Sequence, residues 1–395
     1  MSQYLNIAFI LRFDPRDKRT LSGIPYFMLK SLKERYQNVD VIAPFKYYTF
    51  FRLTFGILNK YIFPIFTKRR IDYSHSILMS KACAYYFGKK LKSKNYDIII
   101  APMASAELAY LNTEVPILYV SDATFELIES YYARYSNLFE FSKREANEIE
   151  RKALHNCTFS ILSSNWAIKS AQSFYGISKE KTKFIPFGAN IDSYPKRSVL
   201  TSKFKSHDCC QLLFLGVDWE RKGGDIAFKT FIELKERGIK TKFIICGCNP
   251  SLDYKNDDLL IIPFLNKNKE EDSRTFQKIL EESNFLILPT RAECTPISFC
   301  EANSYGLPVI TTDTGGVTSV ISDGINGHAL NIDDGELEYA DIIESLWKNR
   351  EHYNNLVKSS RAEFENRLNW EKWGESVTEL IDQLMVERNK NLIAS

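Results

Sequence analysis

Short apolar runs bounded by turn residues alternate with longer amphipathic stretches along most of this chain. A parallel strand buried on both faces is a continuous apolar run, and a helix that covers such a sheet is amphipathic. The alternation therefore predicts an α/β protein built on doubly wound parallel sheets. The predicted strands are residues 5–11, 39–45, 96–102, 115–120, 159–163 and 183–187 in the first half, and 211–217, 242–247, 259–264, 284–290 and 308–313 in the second.

The chain has 395 residues, more than one hydrophobic core usually organises. A polar stretch interrupts the alternation after residue 192, and the chain becomes helical after Gly335. We therefore expect two Rossmann-like domains and a terminal helix. The predicted bounds are an N-terminal domain at 1–192, a linker at 193–208, a C-terminal domain at 209–368 and a C-terminal helix at 369–395.

Composition excludes several classes of protein. Hydrophobic residues make up 44% of the chain, too many for a disordered protein, and the net charge of +3 gives no reason to expect a nucleic-acid partner. The eight cysteines are scattered without C-x-x-C spacing, which indicates reduced thiols rather than disulfides or a zinc site. The N-terminal residues lack the basic leader and cleavage site of a signal peptide, so we expect a cytoplasmic protein.

One aromatic and basic segment, residues 46–70, has two interpretations. It is about as long as a membrane span, but Arg52, Lys60 and Pro64 interrupt its apolar run. The segment is typical of an amphipathic hairpin lying in a bilayer interface, which would make the protein peripheral to the inner face of the membrane. A pair of helices covering the first sheet explains the hydrophobic pattern equally well.

A short helix is predicted where the strand at 284–290 ends. Thr295 can cap a helix, Pro296 suits its first turn, and a glycine follows its end, so we expect a helix at about 296–305. The amides of Ile297 and Ser298 would then face the carboxyl ends of the strands, where open α/β sheets bind ligands. Such amides hold an anion or a sugar hydroxyl without a cationic side chain.

Charged residues gather at the same predicted edge. Glu293 precedes the helix and Glu301 lies inside it, and although a single Glu is usually solvated, two at one strand end suggest a site. Arg221 and Lys222 follow an earlier strand and stand directly before Gly223 and a second glycine. Adjacent cations at the start of a helix suit a diphosphate, whereas a solvated turn is the plainer interpretation. The glycine fingerprint of nicotinamide enzymes is missing here.

These motifs resemble family 4 of the retaining glycosyltransferases, which have the GT-B fold. The resemblance rests on the Glu293-x7-Glu301 spacing, the Ala-Asn-Ser-Tyr-Gly-Leu-Pro-Val-Ile that follows it, and the Thr-Asp-Thr-Gly-Gly-Val and Asp-Gly-Ile-Asn-Gly-His motifs, all within residues 213–330. It implies two doubly wound Rossmann-like domains facing across a cleft. It also implies that the C-terminal helices cross back toward the first domain, which would be the acceptor side.

The resemblance assigns roles to individual residues. Glu293 would lie beside the transferred sugar, Glu301 would bind the ribose hydroxyls, and Arg221 and Lys222 would neutralise the diphosphate leaving group. The loop that holds the sugar and phosphate would be Thr295, Pro296, Ile297 and Ser298. Gly23 would let the first domain approach the diphosphate, and the base pocket would be lined by Gly247, Cys248 and Phe264.

This sequence departs from the family pattern at three places. Val217 and Cys294 stand where relatives often carry Arg and Gly, and Asp122 stands close to where many carry a His. We expect Asp122 to orient the sugar or the acceptor, or else to cap a helix. No Asp-x-Asp stands at a predicted strand end, so we expect neither a metal nor another cofactor beyond the nucleotide-sugar co-substrate.

The resemblance thus implies a retaining hexosyltransferase of polysaccharide biosynthesis. Its donor would be a nucleoside diphosphate sugar, with a UDP-sugar favoured over GDP-mannose, and its acceptor a hydroxyl of a glycan or lipid-linked glycan. Two alternatives keep the fold and the nucleotide sugar: an epimerase or hydrolase, and a non-catalytic nucleotide-sugar-binding protein.

Overall fold

The computed structural model describes residues 4–204 and 208–394. The chain divides into two compact units: the first contains Met1–Ile185 and Gly374–Ser395, and the second contains Pro186–Trp373. Each unit contains its own six-stranded parallel sheet with helices around it. The α/β class and the two doubly wound domains predicted from the alternating pattern are confirmed.

The first unit has strand order β2-β1-β3-β4-β5-β6. Its third and fourth strands are buried along their whole length, as a sheet covered on both faces requires. All six predicted runs of the first half overlap these strands. They are β1 (Asn6–Ile10), β2 (Asn38–Ile42), β3 (Ile98–Pro102), β4 (Ile117–Ser121), β5 (Phe159–Leu162) and β6 (Thr182–Phe184).

Helices connect these strands, and each long one buries an apolar face against the sheet or its neighbours. The helices of the first unit are α1 (Ile24–Lys33), α2 (Tyr48–Ile57), α3 (Phe63–Phe66), α4 (Ile77–Leu91), α5 (Ser105–Leu108), α6 (Phe125–Ile128), α7 (Glu140–Asn156) and α8 (Asn165–Ser173).

The aromatic and basic segment forms one helical run, because a π-helical segment, Leu58–Ile62, joins α2 directly to α3. Both the predicted amphipathic hairpin and the predicted pair of helices are therefore wrong in having two separate elements: no turn interrupts the run between residues 48 and 66. One face packs on the unit through Phe51, and the Asn59 side chain fastens the run by bonding both the N–H and the carbonyl of Ile71, at 2.9 and 2.8 Å. Within the described ranges, no helix is long and apolar enough to cross a membrane.

The second unit has strand order β12-β11-β10-β7-β8-β9. The five runs predicted in this half are all strands, but the sheet has a sixth, β12, that was not predicted. Its sequence, Gly-His-Ala-Leu, lacks the β-branched and aromatic residues typical of strands. The strands are β7 (Cys210–Leu215), β8 (Thr241–Cys246), β9 (Leu259–Ile262), β10 (Phe285–Leu288), β11 (Val309–Thr312) and β12 (Gly327–Leu330).

The helices of the second unit are α9 (Thr201–Phe204), α10 (Gly224–Glu236), α11 (Glu270–Glu282), α12 (Ile297–Ser304), α13 (Glu336–Lys348) and α14 (Arg350–Asn366). The last helix, α15 (Trp370–Ala394), begins in the second unit, and its residues from Gly374 onward belong to the first. There Gly374 lies against Ser31 of α1 so closely that a Cβ would overlap the Ser31 hydroxyl.

The described part of the predicted linker, residues 193–204, packs on the second unit. The Arg361 guanidinium donates to the carbonyl of Pro195 at 2.8 Å. The buried Lys203 ammonium donates to the carbonyls of Leu280 and Ser283 at 3.0 and 2.6 Å, and burial lowers the pKa of Lys203 to about 7. Residues 205–207 of the predicted linker lie outside the described residues.

Strand order decides which loops of the second sheet lie together. The chain moves outward from β7 through β8 to β9, and returns to pair β10 with the other side of β7. At such a switch point, the loops that follow the two central strands diverge and leave a crevice at their carboxyl ends. The loops after β7 and β10 contain residues 216–223 and 289–296, which include most of the charged residues singled out from the sequence.

Candidate functional site at the switch point of the second sheet

The loops that follow β7 and β10 are bonded to each other. The carbonyl of Arg221 accepts from the backbone N–H of Arg291 at 2.8 Å, and the Arg221 guanidinium donates to the carbonyl of Ala292 at 2.6 Å. A third contact comes from the β11 side, where the N–H of Gly316 donates to the carbonyl of Glu293 at 3.1 Å. The loop that contains Glu293 is thus hydrogen-bonded to the loop after β7 on one side and to the loop after β11 on the other.

Two cations meet the Glu293 carboxylate. Lys222 Nζ lies 2.5 Å and Arg221 Nη1 lies 3.1 Å from the same oxygen, Oε2. The side chains of Arg221, Lys222 and Glu293 are 25, 10 and 12% exposed, so the group is shielded without being sealed from solvent. Arg221 also lies 3.4 Å from the Asp218 carboxylate. The structure therefore brings together three of the four predicted catalytic residues.

Glycines allow this close approach of the loops. Gly223 has φ +70°, and a Cβ there would overlap the carbonyl oxygen of Pro289 in the loop after β10. Gly247, after β8, has φ +110°, and its Cβ would lie 2.8 Å from the carbonyl oxygen of Gly216 after β7. Both positions combine a left-handed backbone with a missing Cβ, which only glycine supplies without strain.

The helix after β10 begins one residue later than predicted. Its N-cap is Pro296, with ψ 94°, and the N–H of Phe299 donates to the Pro296 carbonyl at 3.0 Å, so Thr295 is not the capping residue. Thr295 and Ile297 are buried in this turn. Among residues 4–204 and 208–394, the buried Oγ of Ser298 has no hydrogen-bond partner, which leaves a polar group available to a ligand at the helix N-terminus.

Glu301 lies inside this helix and is only 3% exposed. Burial raises the pKa of the Glu301 carboxyl, an effect that Lys267 opposes from 2.5 Å. Lys267 follows β9, one strand beyond β8, and the sequence analysis did not select it. Its position after a predicted strand end is the signal that would have identified it.

The residues predicted for the base pocket follow β8 and β9. Gly247 and Cys248 come directly after β8, and Phe264 follows β9 with 58% of its surface exposed. Val217, after the adjacent β7, is 70% exposed. Large apolar side chains that remain exposed at the carboxyl ends of strands are suited to contact a flat ring, so this edge of the sheet presents apolar surface beside the ion-paired group.

Gly23 and Asp122 lie in the first unit. Gly23 is the N-cap of α1 with φ +86°, and it follows Leu21 and Ser22, which also have positive φ, at 47° and 59°. Such strained backbone is common where loops clamp ligands. The N-cap of α6 is Thr124, so the interpretation of Asp122 as a helix cap is wrong. The roles of both residues toward a donor or acceptor stay predictions.

The sequence analysis missed a buried polar group in the first unit. Arg12, after β1, forms a bidentate pair with Glu107, after β3, with both nitrogen–oxygen distances 2.7 Å. Nearby, His75 Nδ1 lies 2.6 Å from Asp72. Burial disfavours the Asp72 carboxylate, but His75 and the N–H of Ser74 outweigh this and lower the pKa of Asp72 to about 2. As with Lys267, position in the sequence could have identified this group, because Arg12 and Glu107 each follow a predicted strand.

Metal ligation has no candidate in the part of the chain that the structure describes: no group of three or more His, Cys, Asp or Glu is arranged to hold an ion. The five histidines of the chain showed no ligand spacing in the sequence either. Charge at the candidate site is supplied by Arg221, Lys222 and Lys267 instead.

The geometry of the second unit agrees with comparisons of its sequence. Residues 202–363 match the family model described as Glycosyl transferases group 1. A curated relative, spore coat protein SA of Bacillus subtilis (strain 168), is 22% identical over 315 residues, which cover 75% of this chain and 81% of that protein. The chain therefore carries a glycosyl transferases group 1 domain, and this domain contains the complete second sheet and its switch point.

Solved structures show the fold of the whole chain. Sucrose-phosphate synthase (tll1590) from Thermosynechococcus elongatus matches with a TM-score of 0.66 and 15% identity, covering 97% of this chain and 100% of that one. Anabaena Alr3699/HepE in complex with UDP matches with a TM-score of 0.62 and 15% identity, covering 96% of this chain and 100% of that one. The protein has the two-domain α/β GT-B fold of glycosyltransferases, as the resemblance implied.

Proposed function

We propose that the protein is a retaining glycosyltransferase of family 4 that moves a hexose from a nucleoside diphosphate sugar to a hydroxyl of a glycan or lipid-linked glycan. The observation that supports this most directly is the meeting of Arg221 and Lys222 on Glu293 at the switch point of the second sheet. In that group, the two cations can pair with a phosphate and the carboxylate can stabilise an electron-poor carbon. It lies within the domain that matches the glycosyltransferase family.

The proposed reaction explains why both charges are needed. As the bond between the anomeric carbon and the phosphate oxygen breaks, negative charge grows on the diphosphate and positive charge on the sugar carbon. Arg221 and Lys222 stabilise the first, and the Glu293 carboxylate stabilises the second. The acceptor oxygen forms the new bond on the same face of the sugar. Its proton passes to the departing phosphate oxygen, so the nucleoside diphosphate leaves without a separate protein base.

The nucleotide is proposed to bind beside this group. Glu301 accepts from the ribose hydroxyls, and Lys267 opposes the rise in the pKa of the Glu301 carboxyl that burial causes. The base lies on the apolar edge formed by Gly247, Cys248 and Phe264. Ser298, whose hydroxyl is unpartnered within residues 4–204 and 208–394, donates to the sugar or phosphate together with the amides around Thr295 and Ile297.

UDP is proposed as the nucleotide of the donor. The supporting observation is that Anabaena Alr3699/HepE, which shares this fold, has been solved in complex with UDP and with UDP-glucose. No metal is assigned a role, because the basic side chains at the switch point supply the positive charge. The first unit, with Asp122 and Gly23, is proposed to serve the acceptor, and the enzyme is proposed to act in the cytoplasm at the inner face of the membrane.

Calorimetric titration of the purified protein with UDP, GDP and ADP tests the donor site. UDP is expected to bind, and Lys222→Ala and Glu301→Ala are each expected to weaken it by about tenfold or more, since each loses a charged contact to the ligand. The matched controls Lys240→Ala and Glu282→Ala remove exposed charges of the same sign elsewhere on the second unit and should bind UDP as the wild type does. Binding of no nucleotide would contradict the proposal.

Turnover then separates transfer from the alternative activities. With a UDP-sugar panel, UDP release is expected to depend on added glycan acceptor, and the anomeric proton of the product should show the configuration of the donor. UDP release without any acceptor would indicate a hydrolase or epimerase. Tight binding without turnover in the presence of a broad acceptor panel would indicate a non-catalytic binding protein.

A further inference from the structure

The outward face of the helical run 48–66 is apolar along its whole length. Five side chains at helical spacing, each more than half exposed, form what we call the apolar stripe: Phe50, Leu53, Ile57, Tyr61 and Ile65. Tyr47, Ile62 and Phe66 extend it and are also exposed. A continuous exposed stripe of this kind on a monomer marks an interaction surface rather than a solvated helix.

The same region is almost free of acidic residues. Between residues 41 and 96 the sequence has eleven Lys and Arg and a single acid, Asp72. Asp72 is buried against His75, so its charge does not reach the surface. Ten of the eleven cations are exposed, and the last of them pairs with Asp40 at 2.8 Å: Lys46, Arg52, Lys60, Lys68, Arg69, Lys81, Lys89, Lys90, Lys92 and Lys94. The net charge of the chain is only +3, so the positive charge is concentrated here.

Helix α4 extends this surface. The rings of Tyr86 on α4 and Tyr47 at the start of the helical run are 6.4 Å apart, so α4 contacts the start of the run. Leu78 and Tyr85 of α4 are 61 and 77% exposed, and Lys81 and Lys89 share their helical face. We define the basic apolar face as the apolar stripe, the exposed cations among residues 46–69 and this side of α4.

The packed side of the helical run keeps the stripe outward. Phe51 and Phe55 turn into the unit, where the Phe55 ring stacks on Tyr73 at 5.9 Å. Farther along, Phe63 contacts the Phe139 ring at 5.3 Å, next to the start of α7. With the inner face fixed at several points, the exposed apolar side chains cannot be buried by rotating the run about its axis. Their exposure is a property of the folded unit.

We propose that the basic apolar face is a docking surface for an anionic lipid bilayer. The exposed cations pair with lipid phosphates while the apolar stripe enters the boundary between headgroups and acyl chains, the arrangement of an interfacial amphipathic helix. A nucleic acid would satisfy the cations but not Leu53, Ile57 and Ile65, which cannot stack on bases. A second copy meeting the same face would bring like charges together. This proposal does not depend on the proposed glycosyl transfer.

Vesicle flotation of the full chain tests the proposal. The wild type is expected to float with phosphatidylcholine vesicles that contain 30% phosphatidylglycerol and not with pure phosphatidylcholine. The triple variant Arg52→Gln/Lys60→Gln/Lys68→Gln should lower the partition coefficient by about a hundredfold, since each basic residue near an anionic surface strengthens binding roughly fivefold. Leu53→Gln/Ile57→Gln/Ile65→Gln should lower it by at least about tenfold through lost apolar burial.

Two matched control variants keep this test specific. Lys179→Gln/Lys240→Gln/Lys242→Gln and Ile332→Gln/Leu337→Gln/Val386→Gln replace exposed residues of the same kinds outside the basic apolar face, and both should float as the wild type does. Far-ultraviolet circular dichroism confirms that every variant is folded. The proposal is overturned if the wild type fails to float with anionic vesicles or if both face variants float as well as the wild type does. It is also overturned if the wild type floats equally well with and without phosphatidylglycerol.

A second measurement reports how deeply the apolar stripe enters the bilayer. Tyr61→Trp places an indole on the apolar stripe, and vesicles with brominated acyl chains should quench the added fluorescence relative to the wild type. Unquenched added fluorescence in bound protein would show contact through charge alone and would overturn insertion of the stripe. Binding of a duplex oligonucleotide that competes with the vesicles and is lost in both face variants would instead identify a nucleic-acid surface.

Discussion

Both sheets place a cation beside a carboxylate at the switch point between their strands. In the first unit, Arg12 after β1 meets Glu107 after β3, and the side chains are 3 and 0% exposed. In the second unit, Lys222 after β7 meets Glu293 after β10, and the side chains are 10 and 12% exposed. The same topological position thus carries a sealed ion pair in one unit and an open one in the other.

The difference lies in how completely the donors are used. Arg12 donates through Nε and Nη2 to both oxygens of Glu107 and through Nη1 to the carbonyl of Ser74 at 2.8 Å, so its guanidinium is enclosed by protein acceptors. In the second unit, Lys222 and Arg221 converge on one carboxylate oxygen next to an unsealed edge. An enclosed pair holds loops together, whereas an open pair can exchange partners with a ligand. Topology selects the position, and exposure distinguishes the two roles.

The largest expected effect on stability comes from breaking the sealed pair. Arg12→Met leaves the Glu107 carboxylate buried without its partner and should lower the free energy of unfolding by about 3–5 kcal/mol. Urea unfolding followed by circular dichroism measures the change. Replacing both residues, as Arg12→Met/Glu107→Leu, removes both charges and should recover more than half of the loss. A single variant that loses less than about 1 kcal/mol would show that the pair is not sealed.

The open pair should respond in the opposite way. Glu293→Gln and Lys222→Ala are each expected to lower the free energy of unfolding by less than Arg12→Met does, because these side chains are 12 and 10% exposed rather than sealed. Turnover of the nucleotide sugar should fall by about 10²–10³-fold, the loss typical of a fixed electrostatic group at a reacting centre. Initial rates and urea unfolding of the same preparations measure both. A large loss of stability with unchanged turnover would make this pair structural.

Two glycines of the second unit test how much stability depends on the close contact between the loops after β7 and β10. Gly223→Ala would place a methyl group against the Pro289 carbonyl in addition to an unfavourable φ, and should cost more than about 2 kcal/mol beyond the backbone term. Gly238 has a similar φ, +79°, but open space around its Cβ, so Gly238→Ala should cost only about 1 kcal/mol. Thermal unfolding compares them, and equal losses would contradict the close approach of the loops.

A pH-dependent effect distinguishes the two units. Burial lowers the pKa of Lys203 in the second unit from 10.5 to about 7, so the folded state binds fewer protons than the unfolded state between these values. Stability should therefore rise with pH in that window, by at most about 1.4 kcal/mol per pH unit, and fall as pH drops through 7. Lys203→Met should remove this rise. Thermal unfolding at pH 7, 8 and 9 of both proteins measures it.

Glu150 of the first unit gives the contrasting case. Burial raises the pKa of its carboxyl, so its contribution to stability is complete below the ordinary value of 4.5 and is lost as pH rises through the higher folded value. Glu150→Gln should therefore flatten a decline of stability with rising pH, where Lys203→Met flattens a rise. The same direction of change in both variants would contradict the assignment of one or both shifts.

The sequence alone supported most of the fold, because a strand covered on both faces must be apolar throughout and a covering helix must be amphipathic. This local requirement identified eleven of the twelve strands in the described part of the chain and missed β12, whose Gly-His-Ala-Leu sequence is not typical of a strand. Position also identified four candidates: Arg221, Lys222 and Glu293 follow predicted strand ends, and Glu301 lies in the helix predicted after one of them. Which cation meets which carboxylate could not be predicted, because it depends on strand order.

The residues that escaped the sequence analysis have a common cause. Lys267, Arg12 and Glu107 each lie after a strand, but a charged residue in a loop is solvated by default, and only the packed structure shows which ones form ion pairs with a buried partner. The helical run 48–66 illustrates the same limit. Its hydrophobic pattern was compatible with a core helix or an interfacial one, and the structure shows one packed face and one exposed face.

The sequence by itself determined the class of fold, the number of sheets and the residue types available at the strand ends, because burial on both faces imposes a pattern that is read locally along the chain. Only the tertiary structure decided that β10 lies beside β7, that Lys222 therefore reaches Glu293 while Lys267 reaches Glu301, and that Arg12 is sealed. These three ion pairs bring together residues that are 71, 34 and 95 positions apart in the sequence. The strength and exposure of a charge depend on that three-dimensional environment rather than on its neighbours in sequence.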